Sequence, residues 1–256
     1  MLSMLPLAAL LCVGIHANWK RGRLGDAART ILLTLLAAAV IGVGISFGIY
    51  TGGHVLTPVA FTIGIWIILS SLVEPVYRLR RRLSVPRALV GMTLAHMGLG
   101  IAVIALTTVQ SFTVERDVSL AVGESASVGG YTLRFNGVKP VEGPNYEGIA
   151  GSFAVSRGGK PVAVMVPQKR QFWIQHQVTS ETAIRVDHGN NLLLALGEDL
   201  GAGRWSVRVQ VRPLVSFVWL AALIMAIGAA VAASDRRYRA ARAAQVAPGS
   251  AAERAG

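Results

Sequence analysis

A single cysteine, Cys12, stands among the 256 residues, so no intrachain disulfide can form and every folded part must hold by its own core. No CxxC or CxxCH occurs, which excludes a thioredoxin-type redox site and covalent haem attachment to the chain itself. Ser-His-Asp, GxSxG, Walker and dinucleotide-binding patterns are missing as well. The chain therefore carries no motif of a self-contained hydrolase or oxidoreductase. Acidic residues are few, 13 against 25 Lys and Arg, for a net charge of +12. That surplus would fit a nucleic-acid binder, but its placement argues against one. Fourteen of the cations lie in three clusters: Lys20 to Arg29, Arg78 to Arg87, and Arg236 to Arg254. Only Asp26, Glu74, Asp235 and Glu253 oppose them, a surplus of 10, whereas segment 112–212 holds 11 cations and 9 anions. Short basic segments beside apolar runs set membrane topology, with anionic lipid head groups as their electrostatic partners and no nucleic acid.

What the chain does have is apolar length: 53% of its residues are hydrophobic. The central stretch is 88–110, 23 residues from Ala88 to Gln110 with no Asp, Glu, Lys or Arg. As a helix it reaches about 34 Å, enough to cross a hydrocarbon core of about 30 Å. Its one ionisable group is His96, and an imidazole at membrane depth is costly without a partner. Met92 and Gly100 share its face by helical spacing, and Gly91, Ala95 and Gly98 keep the neighbourhood narrow. A flat ligand or a second helix could approach there. Helix-to-helix hydrogen bonding and a ligand or proton-relay role both stay open on this stretch alone.

Further spans are expected at 30–50, at 54–74, where Pro75 should end the helix, and at 214–233. Residues 1–17 form a partial span whose charges follow the apolar run, the reverse of a signal peptide. Residues 234–256 form a basic tail, expected to be cytoplasmic and disordered. Between 112 and 212 the pattern changes to period two. Tyr131, Leu133 and Phe135 alternate with polar residues, as do Trp205, Val207, Val209 and Val211. SRGGK at 156–160 is a two-glycine hairpin signal. Seven or eight short strands are expected, in a small barrel or a sandwich, with the barrel preferred. The expected fold is thus a polytopic α-helical membrane protein, four full helices and one partial one, with an inserted all-β domain on the extracytoplasmic side.

Four other histidines are weaker candidates. His176 and His188 lie 12 residues apart in the β segment without metal-ligand spacing, and read as surface or turn residues. His54 and His16 sit at span boundaries and read as interfacial.

Taken together, GMTLAHMGLG (91–100), GGYTLRF (129–135), GPNYEGIAGSFAV (143–155), VPQKR (166–170), SETAI (180–184), LALGED (194–199), RWSVRVQVRP (204–213) and LAALIMAIGAAVAASDRRYR (220–239) resemble the C-terminal half of cytochrome c maturation protein F (CcmF), the haem lyase family. GIHANW (14–19) stands where the family shows a turn before a basic segment. A close relative serving nitrite-reductase cytochromes shares these features. The resemblance implies a protein of the inner membrane that receives haem from a periplasmic haem chaperone. It would promote thioether bonds between the haem vinyl groups and the CxxCH thiols of apocytochrome c, working beside thiol-handling subunits. It also implies a b-type haem in the membrane between two transmembrane histidines, the second of which is matched by His96 as axial ligand of the iron. The first of those histidines, the tryptophan-rich segment and its two flanking histidines belong to the family's N-terminal half and have no match here. The chain is accordingly expected to be a fragment or one half of a split protein, partnered by that N-terminal half and not active alone, with no catalytic residue of its own. VPQKRQF departs from the family pattern at Gln168 and Phe172, where structural roles are expected. A membrane scaffold whose β domain binds a partner, and a quinol-linked b-haem redox module, are the competing readings.

Overall fold

The computed structural model describes residues 4–16, 24–48, 56–174 and 177–235. His54 and His176 lie outside them. Among the described residues five helices, α1 (Met4–His16), α2 (Leu24–Gly48), α3 (Thr57–Arg80), α4 (Arg87–Phe112) and α5 (Val215–Ala233), flank ten strands that run from Val114 to Pro213. The chain divides into two compact units, Met1–Thr107 with Phe217–Gly256, and Thr108–Ser216. Among the described residues four helices are long and apolar enough to cross a membrane: Ala27–Gly48, Thr57–Arg80, Arg87–Phe112 and Val215–Ala233. The fifth, α1, has 13 residues and its apolar part, Leu5–Ile15, is shorter than a span.

Within the helical unit, packing depends on small residues. A side chain at Gly91 would collide with the backbone of Gly228 and Ala232, and one at Gly228 would lie 2.6 Å from Ala95 N. The antiparallel pair α4–α5 is thus drawn together at Gly91, Ala95 and Gly228, the small-residue contact that membrane helices use in place of a hydrophobic driving force. On another face, Gly100 meets Gly64 O and Ile68 of α3, at 2.7 and 2.5 Å from an added Cβ. Between α2 and α3, Trp66 Nε1 donates to Thr34 Oγ1 at 3.0 Å. An apolar cluster of Cys12, Ala38, Ile63, Ile65, Trp66 and Ile67 joins α1, α2 and α3.

Proline did not end α3. The helix continues through Pro75 to Arg80, six residues beyond the expected boundary at 74. Proline removes the N–H that would bond to the carbonyl four residues earlier, here Ser71 O. Thr93 Oγ1 of α4 lies 3.3 Å from that oxygen, and 2.9 Å from Leu89 O, so its one proton is shared between them. A neighbouring hydroxyl repairs the ladder, which is how proline is tolerated in membrane helices. Beyond the proline, Arg78 pairs with Glu74 at 2.7 Å and ties the last turns together. The α2 helix likewise starts earlier than expected, at Leu24 rather than Thr30.

The strands are β1 (Val114–Ala121), β2 (Ser125–Val128), β3 (Tyr131–Glu142), β4 (Tyr146–Arg157), β5 (Lys160–Met165), β6 (Gln168–Phe172), β7 (Val178–Glu181), β8 (Ala183–Asp187), β9 (Asn190–Asp199) and β10 (Arg204–Pro213). They make two antiparallel sheets, in the orders β1-β10-β9-β8 and β2-β3-β4-β6-β7, with β5 also pairing with β4. Among the described residues no ladder joins the two sheets, so the domain is a sandwich and the preferred barrel is corrected. Alternate residues point inward. Tyr131, Leu133, Phe135, Phe153 and Val155 from one sheet meet Leu192, Leu194, Leu196, Val207 and Val209 from the other, all essentially inaccessible. The rings of Phe135 and Phe153 stack at 4.9 Å.

Register places three hairpin tips at one end of the sandwich: Gly129-Gly130, Gly158-Gly159 and His188-Gly189. The second is the anticipated two-glycine turn, with φ of +55° and +76°. β1 departs from this end and β10 returns to it, Val114 facing Val211.

Candidate functional site

His96 sits well inside α4, half-buried. Its Nδ1 lies 2.7 Å from Met92 O, one turn earlier on the same helix. The carbonyl is an acceptor, so Nδ1 donates this hydrogen bond, and in the neutral ring the lone pair that remains for a metal is that of Nε2. A neutral imidazole anchored at Nδ1 with Nε2 presented outward is the form in which histidine ligates a metal. The residues fit an axial ligand on that ground. Of the two approaches left open beside His96, a flat ligand or a second helix, the small residues receive the helices. Gly91, Ala95 and Gly98 lie roughly 100° to 160° around the helix from His96, and they face α5: an added Cβ at Gly98 would come within 2.6 Å of Met225. Gly100 is taken by α3. They clamp α4 between its neighbours and leave Met92, itself partly exposed, as the side chain one turn away on the histidine's own face.

No group of three or more His, Cys, Asp or Glu able to hold a metal ion occurs among the described residues. His16 is the last residue of α1. His188 is a turn residue, as expected, with 86% of its side chain exposed. It adopts φ +46° ahead of Gly189 at +81°, the left-handed pair that a tight hairpin needs.

Sequence reasoning missed what lies beneath that turn. Asp187 Oδ2 accepts from the Tyr131 hydroxyl at 2.8 Å and from Arg157 Nη1 at 3.2 Å, while Oδ1 lies 2.6 Å from His188 Nδ1. Arg157 also sits over the Tyr131 ring, 5.2 Å from its centroid. The Tyr131 hydrogen bond, then His188 and Arg157, hold the Asp187 carboxyl below its usual range. Burial, and next the carboxylate it bonds, push the Tyr131 phenol up. The signal was present as GGYTLRF and RVDHGN, but their meeting across two sheets is tertiary. An open cleft of about 610 Å³ lies here, lined by Arg157, Lys160, Pro161, Val162, Arg185, Asp187 and His188.

The two positions that depart from the family pattern are accounted for locally. Gln168 Oε1 accepts from Arg170 Nε at 2.9 Å, and the Arg170 guanidinium lies 4.4 Å from the Tyr146 ring centroid. Phe172 packs edge-on against the same ring at 5.8 Å. Gly148 lets β6 approach, since a side chain there would collide with Lys169 O.

Four apolar helices with a β-sandwich inserted between the last two define a multi-pass membrane protein carrying one β domain. Residues 111–213 match the family described as CcmF C-terminal beta-sandwich. The chain is 38% identical over 252 residues to the cytochrome c-type biogenesis protein CycK of Rhizobium meliloti, covering 93% of this chain and 37% of that protein. With CcmF of Pseudomonas aeruginosa the identity is 34% over 247 residues, 92% of this chain and 37% of the relative. The solved structure titled "Cytochrome c Heme Lyase CcmF" superposes with a TM-score of 0.73 at 21% identity, over 90% of this chain and 39% of that one, a likeness of fold. The chain belongs to the CcmF family of cytochrome c biogenesis proteins. It spans about 37% of the length of those relatives.

Proposed function

We propose that the chain is the C-terminal part of a cytochrome c haem lyase subunit, with His96 an axial ligand of a b-type haem in the membrane. The observation that carries this is the pairing of Nδ1 with Met92 O, which leaves Nε2 as the donor on a helix clamped by its neighbours. A clamped helix and a fixed tautomer preorganise the imidazole, so little is lost on ligation. A b-type haem held there supplies one-electron transfer, which serves to keep incoming haem reduced. The second axial histidine comes from outside these residues, as the family resemblance implies.

The basic segments at 78–87 and 234–256 lie on the cytoplasmic side of the inner membrane, and the sandwich lies in the periplasm. There it meets the haem chaperone, apocytochrome c and its thiol-handling subunits. The near balance of charge in 112–212 suits a domain exposed to several partners rather than to one polyanion.

The test is the visible spectrum, oxidised and dithionite-reduced, of this chain purified together with the portion of a relative that it does not span. A low-spin b-type spectrum that is lost in His96→Ala, with both parts still copurifying, is the expected result. An unchanged spectrum in His96→Ala overturns the assignment. Copurification without haem favours the scaffold reading, in which the glycine-lined faces of α4 serve helix packing alone.

A further inference from the structure

The cleft beside the β8–β9 hairpin holds three fixed cations, Arg157, Lys160 and Arg185, and one carboxylate, Asp187. That carboxylate is already engaged by Tyr131, Arg157 and His188. Arg157 is engaged in turn, by Asp187 and by the Tyr131 ring. Lys160 and Arg185 have no carboxylate partner among the described residues, and both are exposed. The site therefore carries two uncompensated positive charges on a rigid base: the hairpin below them is fixed to buried Tyr131.

Its position in the chain is equally informative. Leu214 N donates to Gly189 O at 2.8 Å, and Ser216 Oγ lies 2.9 Å from Asn191 Oδ1. The hairpin is thereby tied to the residues on either side of Val215, where α5 begins its apolar run. A site hydrogen-bonded to the first residues of a membrane span lies at head-group level, where Lys and Arg meet lipid phosphates. At the opposite end of the sandwich, Arg204 is paired with Glu124 at 2.6 Å.

We infer that the cleft formed by Lys160, Arg185 and the Asp187–His188 hairpin binds the phosphate of an anionic phospholipid head group. The two free side chains take the phosphate oxygens, and Asp187, fully bonded, holds the hairpin rather than repelling the ligand. Pro161 and Val162 give the cleft an apolar wall for the glycerol and upper acyl carbons. The bound lipid would fasten the sandwich at the end from which α5 descends.

Hydrogen exchange of the full chain in lipid nanodiscs tests this, because it reads the site locally and is blind to the basic segments elsewhere. Adding phosphatidylglycerol to phosphatidylcholine discs is expected to slow exchange across 160–162 and 185–189. The phosphatidylglycerol dependence of that protection should weaken about fivefold for each of Lys160→Gln and Arg185→Gln, the effect of about one unit of interfacial basic charge. Both residues are exposed and the Tyr131–Asp187–Arg157 contacts remain, so the variants fold. Equal protection in both lipid mixtures, or an unchanged dependence in the double variant, overturns the inference. Inorganic phosphate producing the same protection in phosphatidylcholine discs would assign the cleft to a soluble oxyanion and overturn the lipid assignment.

Discussion

Between α4 and α5 the close approach is backbone to backbone, at Gly91, Ala95 and Gly228, whereas the two sheets of the sandwich meet through side chains, Leu133 and Phe153 on one and Leu194 and Val207 on the other. The two regions answer to different solvents. In the sandwich, water drives large side chains inward, and the faces interdigitate through residues as bulky as Tyr131 and Phe153. In the helical unit, lipid is as apolar as leucine, so large apolar residues such as Leu32, Val40 and Phe47 stay outside. What brings helices together is the removal of side chains. Polar groups follow the same division. In the helices Thr34 and Thr93 serve backbone or indole partners within the unit, while in the sandwich Arg208 forks onto Asp117 at the surface, at 2.8 and 2.9 Å.

Substitutions that add or remove volume should separate the two regions most sharply. Gly91→Leu is expected to have the largest effect, because the new side chain meets backbone that cannot yield. The folded, detergent-stable protein should be largely lost, as read by size-exclusion chromatography. Gly44→Leu, in open space on α2, should leave the yield unchanged. Equal losses from both would break the comparison. In the sandwich the sign reverses, and removing volume is what costs. Phe153→Ala should destabilise the β unit by about 3–5 kcal/mol, seen as faster exchange of β3 and β4 amides while those of α3 and α4 hold.

A smaller effect is expected at Asp187→Ala, about 1–3 kcal/mol, because the buried Tyr131 hydroxyl loses its acceptor. The same residue gives the sandwich an acid limit. Its pKa is depressed in the folded state, so its stabilisation is complete above the unfolded carboxyl value, about pH 4, and is lost as pH falls through the lower folded value. Acid titration of hairpin exchange should show this loss in the native chain and not in Asp187→Ala. Thr93→Val should cost about 1 kcal/mol by leaving Ser71 O without its hydroxyl, and Pro75→Ala, which restores the missing N–H, should remove that penalty in the double variant. Least of all is expected from Arg208→Ala, an exposed pair, whose melting temperature should be indistinguishable from the parent's.

The span containing His96 was legible as 23 residues without Asp, Glu, Lys or Arg, and the strands at 131–135 and 205–211 because burial on one face repeats every second residue. Boundaries were less so. The residues around Pro75 read as a helix end because the compensating hydroxyl, on Thr93, belongs to another helix. The choice of a sandwich over a barrel depends on which strands find each other, and alternation is the same in both. At the haem-ligand candidate, residue type and neighbours in the chain were readable. That Gly91, Ala95 and Gly98 turn away from His96 toward α5 was not.

By itself the amino-acid sequence determined the spans, the half-buried strands, the two-glycine turn and the family, because each follows from local period, composition or a run of matched residues. Only the tertiary structure decided that α3 passes through its proline, that β1 to β10 divide into two sheets, and that Tyr131, Arg157, Asp187 and His188 meet. Those outcomes rest on hydrogen bonds and close approaches between residues far apart in the chain, such as Tyr131 and Asp187, for which no local pattern exists.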